Sequence, residues 1–129
     1  MNIPEGLKYT KEHEWVAIRD GVATIGITDH AQNELGEIVY VEIEIVGEDI
    51  DKDEVFGTVE AVKTTSDLFM PISGKVIEFN DQLNEDEGDN PGLINEDPYG
   101  EGWIIKVELS NEDELAELLD SENYKELIA

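Results

Sequence analysis

Cysteine is absent from this 129-residue chain. No disulfide can staple it, and neither a thiolate metal site nor a cysteine nucleophile is available. Basic residues are scarce: 8 lysines and arginines stand against 33 aspartates and glutamates, a formal charge of −25. A surface of that sign repels phosphate backbones and anionic headgroups, so neither nucleic acid nor membrane is an expected partner. Proteins with basic docking surfaces are what it would attract, although the same charge also serves plain solubility. No run of eighteen apolar residues exists to span a bilayer. The opening Met1-Asn2-Ile3-Pro4-Glu5-Gly6 has neither an apolar signal core nor Arg-rich transit character. A cytoplasmic protein is therefore expected, or else the mature form of an organellar one. Histidine occurs twice, at His13 and His30, and Glu12-His13-Glu14 has no familiar ligand spacing, so no metal site is expected. A Gly-rich phosphate loop, a nucleophile elbow and a Ser-His-Asp motif are also missing, so no catalytic residues are assigned and the chain is not expected to be an enzyme.

What is present suffices for one domain over residues 1–129 with a real core. Glu14 to Ile18 reads as a strand, Arg19-Asp20-Gly21 as a hairpin turn, and Val22 to Thr28 as the return strand. Asp29 then serves as N-cap candidate with Gln32 three residues on, and Gly36 ends a short helix. Strand character resumes from Glu37 to Ile45, with Val41, Ile43 and Ile45 inward. A polar connection leads to a hairpin starting at Val55, and Gly74 to Phe79 forms another strand. Asn84 to Asn90 is an acidic loop without an apolar residue. A short helical piece at Leu93 and a last strand over Gly102–Leu109 follow. Ser110 with Asp113 makes a capping box for a C-terminal helical segment over 110–129, with Leu115, Leu118 and Leu119 on one face. Ser121 restarts that segment and turns Tyr124 and Leu127 towards the body. Many short strands with helices at the edges predict an antiparallel sandwich or flattened barrel. Trp15, Tyr99 and Trp103 read as packing residues.

The most informative stretch runs from Gly57 to Gly74. Val59 and Ala61 alternate with Thr58, Glu60 and Val62 as in a strand, and Thr64-Thr65-Ser66-Asp67 supplies groups that bond their own backbone in a tight bend. Lys63 therefore sits at or beside a hairpin tip, the only lysine or arginine between Lys52 and Lys75. Such a lysine is either a solubilising surface residue or an attachment point that a modifying ligase can reach.

The octet Glu60-Ala61-Val62-Lys63-Thr64-Thr65-Ser66-Asp67 decides between them. It resembles the lipoyl-attachment motif of glycine cleavage system H proteins, with Thr64 and Thr65 where the family often has Ala or Ser. The resemblance continues through Leu7-Lys8-Tyr9, His13-Glu14-Trp15, Gly26 to Gln32 with Leu35-Gly36, Pro71 to Gly74, Leu93 to Asn95, Pro98-Tyr99, Gly102-Trp103 and Asp113 to Leu119. One departure stands out, an acidic insertion that lengthens Leu83 to Pro91. The resemblance implies a mainly β fold, a barrel-sandwich hybrid of antiparallel sheets with short peripheral helices and a C-terminal helix. It implies lipoate in amide linkage to Lys63, within a modification motif of Glu60, Ala61, Val62, Ser66 and Asp67. It also implies a cleft for the loaded arm lined by Glu12, Glu14 and Asp67.

The implied role is a shuttle, a non-enzymatic carrier. It would take the aminomethyl group of glycine from a pyridoxal-phosphate glycine decarboxylase to a tetrahydrofolate-dependent aminomethyltransferase. A dihydrolipoamide dehydrogenase would then reoxidise it, and a lipoate-attaching enzyme would have charged Lys63. A monomer is expected. Other readings stay open: a relay donating lipoyl groups to other enzymes, or a non-lipoylated binding module on the same scaffold. A biotin carrier would flank its lysine with methionines rather than Val62 and Thr64. A 2-oxo-acid dehydrogenase lipoyl domain would bring Pro/Ala linkers, which this sequence lacks.

Overall fold

The computed structural model describes residues 2–129; Met1, the first residue of the leader-free reading, lies outside them. Period-2 patterns build nine strands among the described residues: β1 (Lys8–Tyr9), β2 (Glu14–Arg19), β3 (Val22–Ile27), β4 (Ile38–Glu42), β5 (Asp49–Ile50), β6 (Val55–Ala61), β7 (Thr65–Phe69), β8 (Gly74–Phe79) and β9 (Ile105–Leu109). Helix α1 (Asp29–Leu35) follows β3, α2 (Leu93–Glu96) precedes β9, and α3 (Ser121–Ile128) closes the chain. Each strand pairing among the described residues is antiparallel. The strands form a six-stranded sheet in the order β1-β2-β3-β9-β8-β5 and a three-stranded sheet β4-β6-β7. The fold is the mainly β sandwich expected, with the two sheets staying separate rather than closing into a barrel. Among the described residues no helix is long and apolar enough to cross a membrane.

Two hydrophobic clusters hold these layers. The larger is almost wholly aliphatic and draws on both sheets, with Val16, Ile25 and Val107 from one and Val41, Val59, Ala61 and Leu68 from the other. The smaller is aromatic: Tyr9, Trp15 and Tyr124, with Tyr99 and Trp103 packed against it. Strand β2 serves both, because successive side chains point to opposite faces; Val16 enters the first cluster and Trp15 the second. Trp15 pairs across the ladder with Gly26, where any Cβ would run into the indole.

Several local expectations need correction. The cap of α1 is Thr28, whose hydroxyl accepts from Ala31 N–H, while Asp29 receives the Gln32 amide instead. Strand β4 stops at Glu42, short of Ile45, because β6 bulges at Phe56 and its pairing ends at Glu42↔Thr58. Ile43 and Ile45 still pack inward against the core. The last strand starts at Ile105 rather than Gly102. Thr65, Ser66 and Asp67 belong to β7 and not to the bend, which is confined to residues 61–64. At the C-terminus, Asn111 rather than Ser110 caps, and it opens a 3₁₀ turn over Glu112–Glu117. The segment then straightens because Leu119 exchanges two backbone hydrogen bonds with Tyr9, each 2.8 Å. Asp120 caps α3 afresh. Tyr124 is buried as expected, but Leu127 is 45% exposed and Ile128 packs in its place.

Candidate functional site

The tip of the β6–β7 hairpin is as short as a hairpin allows. Glu60 pairs with Thr65, and Ala61 N–H donates to the Thr64 carbonyl at 2.7 Å, leaving Val62 and Lys63 as the two central residues. Neither has a positive φ, so the tip is not one of the primed turns that glycine or asparagine would stabilise by itself. Support comes from outside the hairpin. Val62 N–H donates to the Glu37 carbonyl at 3.0 Å, and Ile38 pairs with Ala61. Ala61 is buried below while Val62 above it is 69% exposed. The stem of Lys63 lies beside Gly36, the C-cap of α1 at φ 83°, where a Cβ would come within about 4 Å of Lys63 Cδ, Cε and Nζ. That glycine was legible as a helix stop; its second task of seating the lysine was not, since it depends on a contact 27 residues away in the chain.

Lys63 is exposed and forms no ion pair among the described residues. An amine so placed fits covalent amide attachment: it is reachable, and losing its charge leaves no partner orphaned. Glu60 is exposed on the same strand, and Ser66 and Asp67 lie on the returning one.

Next to this tip is a cleft of about 140 Å³ between the β2 approach, α1 and β7. Its floor is apolar, with Ile27, Ala31, Leu35, Val59 and Leu68. Its polar lining is Glu12, His13, Glu14, Glu34, Ser66 and Asp67. The three acids named from the sequence thus come together, and Leu35 at the cleft adjoins the glycine that seats Lys63. Their environments differ. Glu12 and Asp67 are exposed, whereas Glu14 is only 2% exposed. Thr10 hydroxyl donates to Glu14 Oε1 at 2.6 Å and Phe69 N–H to Oε2 at 3.4 Å. Burial pushes the Glu14 carboxyl up to about 7; the two donors oppose this, and the charges of Glu12 and Asp53 add to it. A second cavity of about 350 Å³ lies on the other side of Glu14, lined by Tyr9, Thr10, Lys52 and Met70 among others. His13 meets His30 ring to ring at 4.7 Å, and its Nδ1 is 2.8 Å from the Tyr124 hydroxyl. Nothing in the local sequence joined Tyr124 to this site, because α3 reaches it across 111 residues.

Comparison with known proteins agrees with the geometry. Residues 7–129 match the family model described as glycine cleavage H-protein. The chain is 52% identical over 128 residues to the glycine cleavage system H protein of Bacteroides fragilis, covering 99% of this chain and 98% of that one. It is also 52% identical over 126 residues to the H protein of Carboxydothermus hydrogenoformans, covering 98% and 94%. The crystal structure of a glycine cleavage system H protein from Mycobacterium marinum superposes with a TM-score of 0.83 at 37% identity, covering 96% of this chain and 97% of that one.

Proposed function

This chain belongs to the glycine cleavage H-protein family, and from that premise we propose that it is the lipoyl-carrying shuttle of a glycine cleavage system, one carrier domain over 1–129 that works as a cytoplasmic monomer. The observation that carries the reading is Lys63, exposed at a two-residue tip, seated on Gly36 and adjoining an acid-rimmed cleft. A lipoate-attaching enzyme would form the amide at Nζ, with Glu60, Ala61, Val62, Ser66 and Asp67 as the presented motif. Lipoate, once attached, supplies a dithiolane that opens and closes, and so accepts and releases a one-carbon unit. The chain itself performs no bond chemistry. It takes the aminomethyl group from the pyridoxal-phosphate glycine decarboxylase and delivers it to the tetrahydrofolate-dependent aminomethyltransferase. Dihydrolipoamide dehydrogenase then restores the oxidised form. Tethering to Lys63 makes each visit local, at an effective concentration no free cofactor would reach.

The cleft gives the carrier a protective role between visits. An aminomethyl group on sulfur is open to hydrolysis, and its amine is a cation near neutral pH. Glu14, Asp67 and Glu12 supply acceptors for that cation, above a floor that excludes water. Glu14 is the strongest of the three, because a sheltered charge-assisted hydrogen bond contributes roughly 1.5–3 kcal/mol and an exposed pair only about 0.2–1 kcal/mol. Meeting the cation also draws Glu14 back to its ionised form against the cost of burial.

The test is intact mass and peptide mapping of protein purified from its native source. One lipoyl group on the peptide containing Lys63 is expected, and none in Lys63→Ala. An unmodified chain, or a lipoyl group on Lys52 or Lys75, would sink the proposal.

A further inference from the structure

The hydrogen bonds behind the cleft run in one direction, and that direction fixes a proton. Thr28 is fully buried. Its hydroxyl oxygen accepts from Ala31 N–H at 3.2 Å as the cap of α1, and its one remaining hydrogen-bond neighbour among the described residues is the Tyr124 hydroxyl at 2.7 Å. The Thr28 proton therefore has one place to go, onto the Tyr124 oxygen. Tyr124 is also fully buried, stacked on Tyr9 at 4.8 Å, and its other polar neighbour is His13 Nδ1 at 2.8 Å. Its own proton must then be donated to Nδ1. That nitrogen is an acceptor, so the ring proton sits on Nε2. Protonating Nδ1 would reverse Tyr124 and strand the Thr28 proton in the interior, a cost buried groups avoid. The backbone pins the ring as well: His13 lies at φ 70°, unusual for a non-glycine residue, and its carbonyl accepts from Thr28 N–H at 3.0 Å.

The geometry points to a positioning role for Thr28 and Tyr124: they lock His13 as the neutral Nε2–H tautomer, which gives the cleft a fixed, uncharged hydrogen-bond donor among its carboxylates. The lock rests on the hydrogen bonds alone; its use, donating to a cleft carboxylate that in turn meets the carried cation while adding no positive charge to repel it, rests on the carrier reading. The titratable groups around the ring pull both ways. Glu12 and Glu14 flank it in the chain, Glu34 and His30 face it from α1, Asp67 stands across the cleft on β7, and Tyr124 comes from α3. Burial and His30 hold His13 below its ordinary pKa, and Glu12 and Glu34 work against them.

Long-range nitrogen–proton NMR on the unmodified chain tests this directly, because the two tautomers differ widely in ring nitrogen shifts. His13 is expected almost wholly as the Nε2–H form at neutral pH, with a titration midpoint below that of the same residue in the urea-unfolded chain. In Tyr124→Phe, which keeps the ring stack and removes the donor, the tautomers should mix and the midpoint rise by about one pH unit, the equivalent of one lost buried hydrogen bond. Thr28→Ser, which keeps the hydroxyl, should preserve the lock. If Tyr124→Phe fails to fold, the wild-type spectrum still decides. An Nδ1–H or freely exchanging His13 in the wild-type chain would overturn the inference and leave lipoyl carriage at Lys63 untouched. A locked His13 in a chain that never carries lipoate would support the lock and overturn the carrier reading alone.

Discussion

The two hydrophobic clusters do different kinds of work. The aliphatic one lies under the Lys63 hairpin, where Val59, Ala61 and Leu68 anchor β6 and β7. Its contacts are non-directional, so it fixes where the tip stands and little else. The aromatic one lies behind the wall that carries Glu12, His13 and Glu14, and each of its rings also aims a polar atom. Tyr9 hydroxyl donates to the Pro4 carbonyl, Trp15 Nε1–H to the Pro98 carbonyl at 2.9 Å, and Tyr124 joins Thr28 to His13. Packing presents the lysine, while packing combined with hydrogen bonds sets the protonation and direction of the groups it would meet. Damage to the first cluster should therefore show as lost stability, and damage to the second as altered titration.

Leu68→Ala is the largest expected break on the aliphatic side, costing about 2–5 kcal/mol, whereas Leu68→Met costs under about 1.5 kcal/mol. Urea melts of both variants check this. Equal losses would show that the cluster is more direction-sensitive than its composition implies.

Glu14 sharpens the contrast through pH. Its folded carboxyl is raised from 4.5 to about 7, so the folded state holds a proton that the unfolded state has released between those values. Its contribution is full below about pH 4.5 and is lost as pH rises through about 7. The rise corresponds to about 3 kcal/mol, at about 1.4 kcal/mol for each pH unit. Relative to wild type, Glu14→Gln should gain about that much stability between pH 4.5 and pH 8. A constant offset across that range would show that the buried carboxyl does not titrate there.

Trp15→Phe keeps most of the ring and removes the donor to Pro98, leaving a buried carbonyl unpaired at about 1–3 kcal/mol. The smallest effect belongs to the acidic insertion. Gly88 N–H and Asn90 N–H bond back to the carbonyls of Asp81 and Gln82, and Leu83 roots the loop in the core. Residues 85 to 88 bury no side chain, so deleting them should shift stability by about 1 kcal/mol, chiefly through the exposed Gly88 bond. A drop of tens of degrees in melting temperature would make the loop structural.

The parts of this molecule that sequence declares are those whose cause is local. The β2–β3 hairpin is announced by Arg19-Asp20-Gly21, and the stop of α1 by Gly36. The octet around Lys63 placed the lysine at the tip. What could not be read depends on partners far along the chain. The Thr28 hydroxyl that caps α1 is also held by Tyr124, from 96 residues along the chain. The C-terminal segment broke after Glu117 because Leu119 pairs with Tyr9. The difference between Glu14 and Asp67 was equally hidden: both are acids in one motif set, yet one is buried under Thr10 and Phe69 and the other faces solvent.

That difference supplies the most direct test of the account, the rate at which a loaded carrier loses its group. Purified lipoylated chain, charged with the aminomethyl unit and freed of transferase, would be followed by release of ammonia and formaldehyde. Glu14→Ala should speed the loss by about ten- to a hundred-fold, at about 1.4 kcal/mol per tenfold, and Asp67→Ala by about five-fold or less, with lipoylation of Lys63 unchanged in both. If both variants decay at the wild-type rate, the cleft does not shelter the arm and its acids are ordinary surface charge.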